Sequence, residues 1–220
     1  MLAAGLVVAG FAGPASAGTG SSPVSAGGVL PNNAPSDATA RNKETQASAG
    51  GGFSVLATSE SKRLTITTQA QETNYWCSPA AGRAALSALS ATVPSQSTLA
   101  WRMDTTSSGT VTTNIAPSLN AYQSKNNYVR STGMTLDNYR TYLRAGIVTY
   151  AAPSILNVQM SKLPWYSNVS GGHSVTSYGY ATATKVWNLD IYDPWDNIRH
   201  TGTASGTMYD AAINNHEMIW

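Results

Sequence analysis

Among its 220 residues the chain has one cysteine, Cys77, so no disulfide can form within it and its fold must rest on packing. Charge is scarce: Asp, Glu, Lys and Arg make up 11% of the chain, with a formal net charge of +2. A field that weak neither gathers nucleic acid nor coats an acidic membrane. Long apolar runs are missing. The N-terminal stretch Met1–Ala17 falls short of the roughly 20 residues a spanning helix needs, so no stable membrane insertion is expected. One cysteine and three scattered histidines offer no paired spacing for zinc. No glycine-rich phosphate loop occurs, because GGGF at Gly50 is linker composition. Neither a metal nor a cofactor is therefore expected. What is present is enough apolar residue, 42%, to build one domain of ordinary size.

Met1–Ala17 (MLAAGLVVAGFAGPASA) ends in the small residues Ala15, Ser16 and Ala17, the pattern a signal peptidase reads. No Lys or Arg precedes the apolar part, so either the free amine is its only positive charge or the true start lies upstream. Gly5, Gly10, Gly13 and Pro14 argue against a buried helix. Residues 1–17 are read as a secretory signal, residues 18–58 as a low-complexity linker or propeptide-like spacer, and residues 59–220 as the catalytic domain. From Gly18 to Gly52 the chain is dominated by Gly, Ser, Ala, Pro and Asn, a composition that cannot bury enough to order itself. A secreted location makes the lone thiol informative, since in an oxidising compartment it must be either buried or used.

The folded part is expected to begin near Leu64, where LTITTQA alternates like a strand. Pro79 sits where a first helical turn tolerates it, and AAGRAALSAL predicts a helix over Ser78–Leu89 with Cys77 at its N-terminus. Further helices are expected over Ile115–Lys125 and Leu136–Ala145, where apolar residues recur three and four apart. PSILNVQM, HSVTSYGYAT and KVWNLDIYD read as strands, the last two joined near Ala183 and Thr184. Helices first and strands later predict an α+β fold, a helical lobe packed on a mostly antiparallel sheet. His173 starts one strand of the hairpin and Asp193 ends the next, so the two can meet across it.

Attack by a cysteine on a carbonyl needs a thiolate, a base and oxyanion donors. The positive end of a helix macrodipole and a nearby imidazolium can bring a thiol from about 8.5 down to roughly 3 to 4. Cys77 is the candidate nucleophile, His173 the base and Asp193 its orienting carboxylate, with Asp190 as second choice. Gln71, six positions before Cys77, is the candidate side-chain donor to the oxyanion, and Gln69 competes with it. Each has a plainer reading: a core cysteine, a satisfied strand histidine, an Asp that starts a turn before Pro194; against the second, Gly171 and Gly172 beside His173 point to close backbone approach. Tyr75, Trp76, Trp165, Tyr166 and Trp195 either line a groove or fill the core, and His200 and His216 are read as surface residues.

QETNYWCSPAAGRAAL, followed by GGHSVTSYGY and DIYDPW, resembles the papain-like cysteine peptidases of the bacteriocin-leader-processing type, cysteine peptidase family thirty-nine, in their stand-alone secreted form. The resemblance implies a Gln six residues before a Cys that opens the central helix, a His after glycine and an Asp followed by Pro. Gln71, Cys77, His173, and Asp193 with Pro194 match these positions one by one. It further implies a papain-like fold and peptide or protein substrates, with no nucleic acid partner; a monomer is expected. Two features depart from the pattern. Ser78 stands where the family more often has Gly, and no transporter domain follows, which points away from leader processing during export. A cell-wall amidase or transpeptidase using the same thioester, or a non-catalytic binding module on the same fold, are the alternatives.

Overall fold

The computed structural model describes residues 37–49, 60–183 and 186–220. The segments read as a signal and most of the spacer lie outside them. Among the described residues the strands are β1 (Ser61–Arg63), β2 (Arg130–Ser131), β3 (Ser154–Gln159), β4 (Gly172–Ala183), β5 (Val186–Asp193), β6 (Ile198–Thr203) and β7 (Met218–Ile219). They form one sheet in the order β2-β7-β3-β4-β5-β6, every pairing antiparallel, with β1 also on β4. The main helices are α1 (Asp37–Ala49), α2 (Cys77–Ser87), α3 (Gln96–Arg102), α4 (Ile115–Asn120) and α5 (Leu136–Arg144). The expected α+β layering is therefore what the chain adopts.

Helix α2 is the centre of one layer. Its run of Ala80, Ala81, Ala84, Ala85 and Leu86 is buried, and small side chains let the sheet and the neighbouring helices approach closely. A Cβ at Gly82 would come within 3.0 Å of both Leu119 and Met103. Pro79 lies in the first turn, where its missing N–H has no intrahelical partner to lose. The other face of the sheet packs Leu156, Val158, Val175, Leu189 and Ile191 against Tyr139, Tyr142 and Leu143 of α5.

One irregularity sets the geometry of everything that follows. In the β4–β5 ladder Gly179 faces Asp190 but Ser177 faces Ile191, so Tyr178 is an extra residue in a bulge. A bulge switches which residues share a face. Val175 before it and Tyr180 after it therefore enter the same core. Thr176 pairs with Tyr192, and continuing that register sets Asp193 opposite Val175, on the face that His173 shares. A regular ladder would have turned Asp193 to the opposite face from His173. Gly179 makes room for the bulge, since a Cβ there would meet Asp190 Oδ2 at 2.5 Å and Lys62 O at 3.1 Å.

Several expectations are corrected. The strand expected from Leu64 does not form: β1 ends at Arg63, and after the bond from Leu64 N to Tyr178 O at 2.8 Å the backbone bonds to side chains, Thr67 N to Ser87 Oγ at 2.8 Å and Gln69 N to Tyr192 Oη at 3.1 Å. The helix expected to Lys125 stops at Asn120, whose side chain turns to bond Tyr128. The part of the spacer at Asp37–Ala49 is helix α1, although its composition argued against order. It is anchored by Ala47 and by Lys43, whose Nζ donates to Asn126 Oδ1, Asn127 O and Trp220 O at 2.8 to 2.9 Å. That ammonium also lies over the rings of Tyr150 and Trp220, and burial pushes it down to about 7.

Candidate active site

Cys77 is the first residue of α2 and is half-buried. Trp76 occupies the N-cap position and makes no side-chain cap hydrogen bond, which leaves the positive end of the helix open at the thiol. His173, on β4, and Asp193, at the end of β5, are 4% and 0% exposed. His173 Nε2 is 2.7 Å from Asp193 Oδ1, so the ring's other nitrogen, Nδ1, is the one left for the thiol. The structure thus brings Cys77, His173 and Asp193 together, across 20 residues of hairpin in the case of the dyad.

The electrostatics favour an ion pair. Burial alone would raise the Cys77 thiol, but its hydrogen bond to His173, the charge of that ring and two hydrogen bonds from Ser174 outweigh it, and the thiol lies below its ordinary value. Burial likewise opposes a charged His173, and the bonds to Asp193 and Cys77 prevail, raising the imidazole to about 9. Asp193 is held below the usual carboxylate range, its burial outweighed by His173 and by the N–H donors of Trp195 and Trp165.

Those donors were not legible as such in the sequence. Asp193 Oδ1 also accepts from Trp195 N at 2.9 Å, and Oδ2 accepts from Trp165 Nε1 at 3.0 Å and Tyr166 Oη at 2.9 Å. Two of the aromatics read as groove or core therefore fix the carboxylate. His200, expected at the surface, is half-buried: it stacks on Trp165 with ring centroids 4.2 Å apart and bonds Asp196. His216, also expected at the surface, is half-buried and stacks on Tyr209 at 3.8 Å. Asp193, Asp196 and His200 gather ligand atoms within 4.8 Å of one another, but the Asp193 oxygens already accept four hydrogen bonds. Asp190, the second choice, is committed to Arg63 at 2.6 Å. The glycines before His173 do not mark close approach: Gly171 has open space and a φ of +121°, so its role is conformational.

Gln71 sits on a segment clamped from three sides. Its N–H donates to Pro194 O at 2.8 Å, while the buried Gln96 of α3 accepts from Glu72 N at 3.0 Å and donates to Ala70 O at 2.7 Å. One proton of Gln71 Nε2 goes to Thr73 O at 2.7 Å; the second is available to a ligand. Gln69 is exposed and bonds Glu72, turned to solvent. Between the two, the clamped and half-buried Gln71 is the better placed.

A thiol at an open helix terminus, an imidazole between thiol and buried carboxylate, and helices layered on an antiparallel sheet define the class of papain-like cysteine peptidases. The chain belongs to the Peptidase_C39 like family, whose model matches residues 63–214. The protein is also similar to the crystal structure of the peptidase domain of Streptococcus ComA, a bi-functional ABC transporter involved in a quorum-sensing pathway. That similarity has 17% identity over 71% of this chain and 97% of that one, with a TM-score of 0.48. No curated protein matches the chain. Among the described residues no helix is long and apolar enough to cross a membrane.

Proposed function

We propose that this protein is a secreted cysteine peptidase that hydrolyses peptide bonds through a thioester on Cys77. The observation that carries the reading is the 2.7 Å bond from His173 Nε2 to the buried Asp193, with the depressed Cys77 thiol on the other side of the ring. The thiolate attacks the peptide carbonyl carbon, and the negative charge moves to the carbonyl oxygen. There the Cys77 N–H and the second proton of Gln71 Nε2 receive it. His173 gives its Nδ1 proton to the departing amine as the tetrahedral species collapses to the thioester. Water then attacks the thioester with His173 as base, releasing the acid and restoring the pair, while Asp193 holds the ring and its charge throughout. Substrates are peptides or proteins, and the enzyme acts as a monomer. Residues 1–17 direct export and residues 18–58 connect them to the catalytic domain.

The test is alkylation of Cys77 by iodoacetamide across pH, with cleavage of a mixed peptide library read by mass spectrometry. The wild type should react well below neutral pH and cleave; Cys77→Ala should stay folded and do neither, and His173→Ala should lose the low-pH reactivity. Reactivity that appears only on denaturation would make Cys77 a core residue and end the peptidase reading. An added amine found in the product would assign the thioester to transfer instead of hydrolysis.

A further inference from the structure

The mechanism above leaves helix α1 without a role, although its segment was expected to be a linker or a propeptide-like spacer. Its 13 residues hold no apolar side chain larger than alanine. A helix of that length is marginal alone in water, and alanines bury too little to dock it, so its polar contacts must hold it in place. Two successive residues supply them. Lys43 is 7% exposed and donates to Asn126 Oδ1, Asn127 O and Trp220 O at 2.8 to 2.9 Å, while its charge lies 4.5 Å from the ring centroids of both Tyr150 and Trp220. A neutral amine has two N–H groups for those three acceptors, so the geometry is that of a site for an ammonium. Glu44 accepts from Ser131 Oγ, which itself accepts from the Trp220 indole N–H at 2.9 Å.

The place of this contact in the sheet decides what it can do. His173 on β4 pairs with Val158 near the end of β3, whereas β7 pairs Ile219 with Ile155, and continuing that register sets Trp220 beside Ser154 at the start of β3. Those two levels are four residues apart on β3 (158 − 154), about 13 Å along the strands, and β7 lies two strands across from β4. Ala40 and Ala47 join the core that α5 covers, on the opposite face of the sheet from the core around α2, whose first residue is Cys77. Helix α1 is therefore anchored away from the thiol and the imidazole. Removing it would leave Asn126 Oδ1 and Asn127 O without their donor and uncover two aromatic faces, a cost that a segment meant to leave would impose on the active enzyme. We propose that the catalytic domain carries an ammonium site whose ligand is Lys43 of its own N-terminal segment, and that α1 is a brace retained in the working enzyme, tying Asn126, Asn127 and Ser131 to Trp220, and not an inhibitor of the cleft. The claim about inhibition rests on Cys77 being the nucleophile of the proposed peptidase; the claim about docking does not.

The experiment is amide hydrogen exchange of the full chain at pH 6, read by mass spectrometry on peptides covering residues 37–49, beside the rate of Cys77 alkylation by iodoacetamide, for wild type and Lys43→Met. At pH 6 the lysine is charged, since burial brings it down only to about 7. In the wild type α1 should exchange at least about tenfold more slowly than an unstructured peptide, and Lys43→Met, which keeps the stem and loses all three donors, should forfeit about tenfold or more of that protection. Cys77 should be alkylated at the same rate in both. Exchange of α1 at the unstructured rate in the wild type, full protection in the variant, or faster alkylation of Cys77 once α1 is loosened would each overturn the proposal. Wild-type exchange decides the docking even if Lys43→Met does not fold. The N-terminal mass of the exported protein decides retention: a start ahead of Lys43 is expected, and one after it refutes the brace. A Cys77 inert in both proteins would instead sink the peptidase reading, with exchange and the N-terminal mass still deciding the docking of α1.

Discussion

Replacing Cys77 with alanine should change how the stability of the protein depends on pH, and the direction follows from counting protons. In the folded chain the thiol lies below its ordinary 9.0 and His173 is raised from 6.5 to about 9. Above the depressed thiol and below about 9 the folded pair holds one proton, on the imidazole, and between 6.5 and 9.0 the unfolded chain also holds one, on the thiol. Equal counts give no slope. In Cys77→Ala the thiol is gone, but Asp193 at 2.7 Å still holds the imidazole above its unfolded value. A raised imidazole stabilises fully below 6.5 and loses that contribution as pH rises through the folded value, so the variant should weaken on the alkaline side. The slope for a full proton is about 1.4 kcal/mol per pH unit. With the share of the shift due to Cys77 removed, the loss across the window comes to roughly 1 to 2 kcal/mol. Urea unfolding followed by tryptophan fluorescence at half-unit steps of pH measures it. Other titrating groups, Lys43 among them, act equally in both proteins and drop out of the difference. Two parallel curves would refute the thiolate–imidazolium pair.

Gly179→Ala should destabilise by about 1 to 3 kcal/mol, because the new Cβ meets Asp190 and the backbone of Lys62, and it should slow Cys77 alkylation by disturbing the bulge that aligns His173 with Asp193. A variant with wild-type melting temperature and wild-type reactivity would show that the bulge tolerates a side chain. Trp165→Phe and Tyr166→Phe each take one donor from the buried Asp193 carboxylate. Each should lower the urea midpoint by the equivalent of about 1.5 to 3 kcal/mol, the value of a hydrogen bond to a charged group, and an unchanged midpoint in either would mean that its donor is dispensable.

Local pattern carried a good part of this protein. A small-residue helix behind Pro79, alternating strands over HSVTSYGYAT and KVWNLDIYD, and the hairpin between them are short-range features, so the spacing put His173 and Asp193 at the same end of one hairpin and Cys77 at the start of a helix. The docking of α1 was not legible, because its few apolar groups matter only against a face built by Asn126, Tyr150 and Trp220 far along the chain. The partners that complete the site were hidden for the same reason. Trp165 and Tyr166 reach Asp193 from 28 and 27 residues away, and Gln96 clamps Ala70 from 26. Such pairs carry no period and no local motif. The sequence by itself determined which residues could react and which elements bear them, since helix capping, turn chemistry and alternation act over a few residues. Only the tertiary structure decided that His173 and Asp193 share a face, because side chains alternate along a strand and one extra residue at Tyr178 reverses which of them meet.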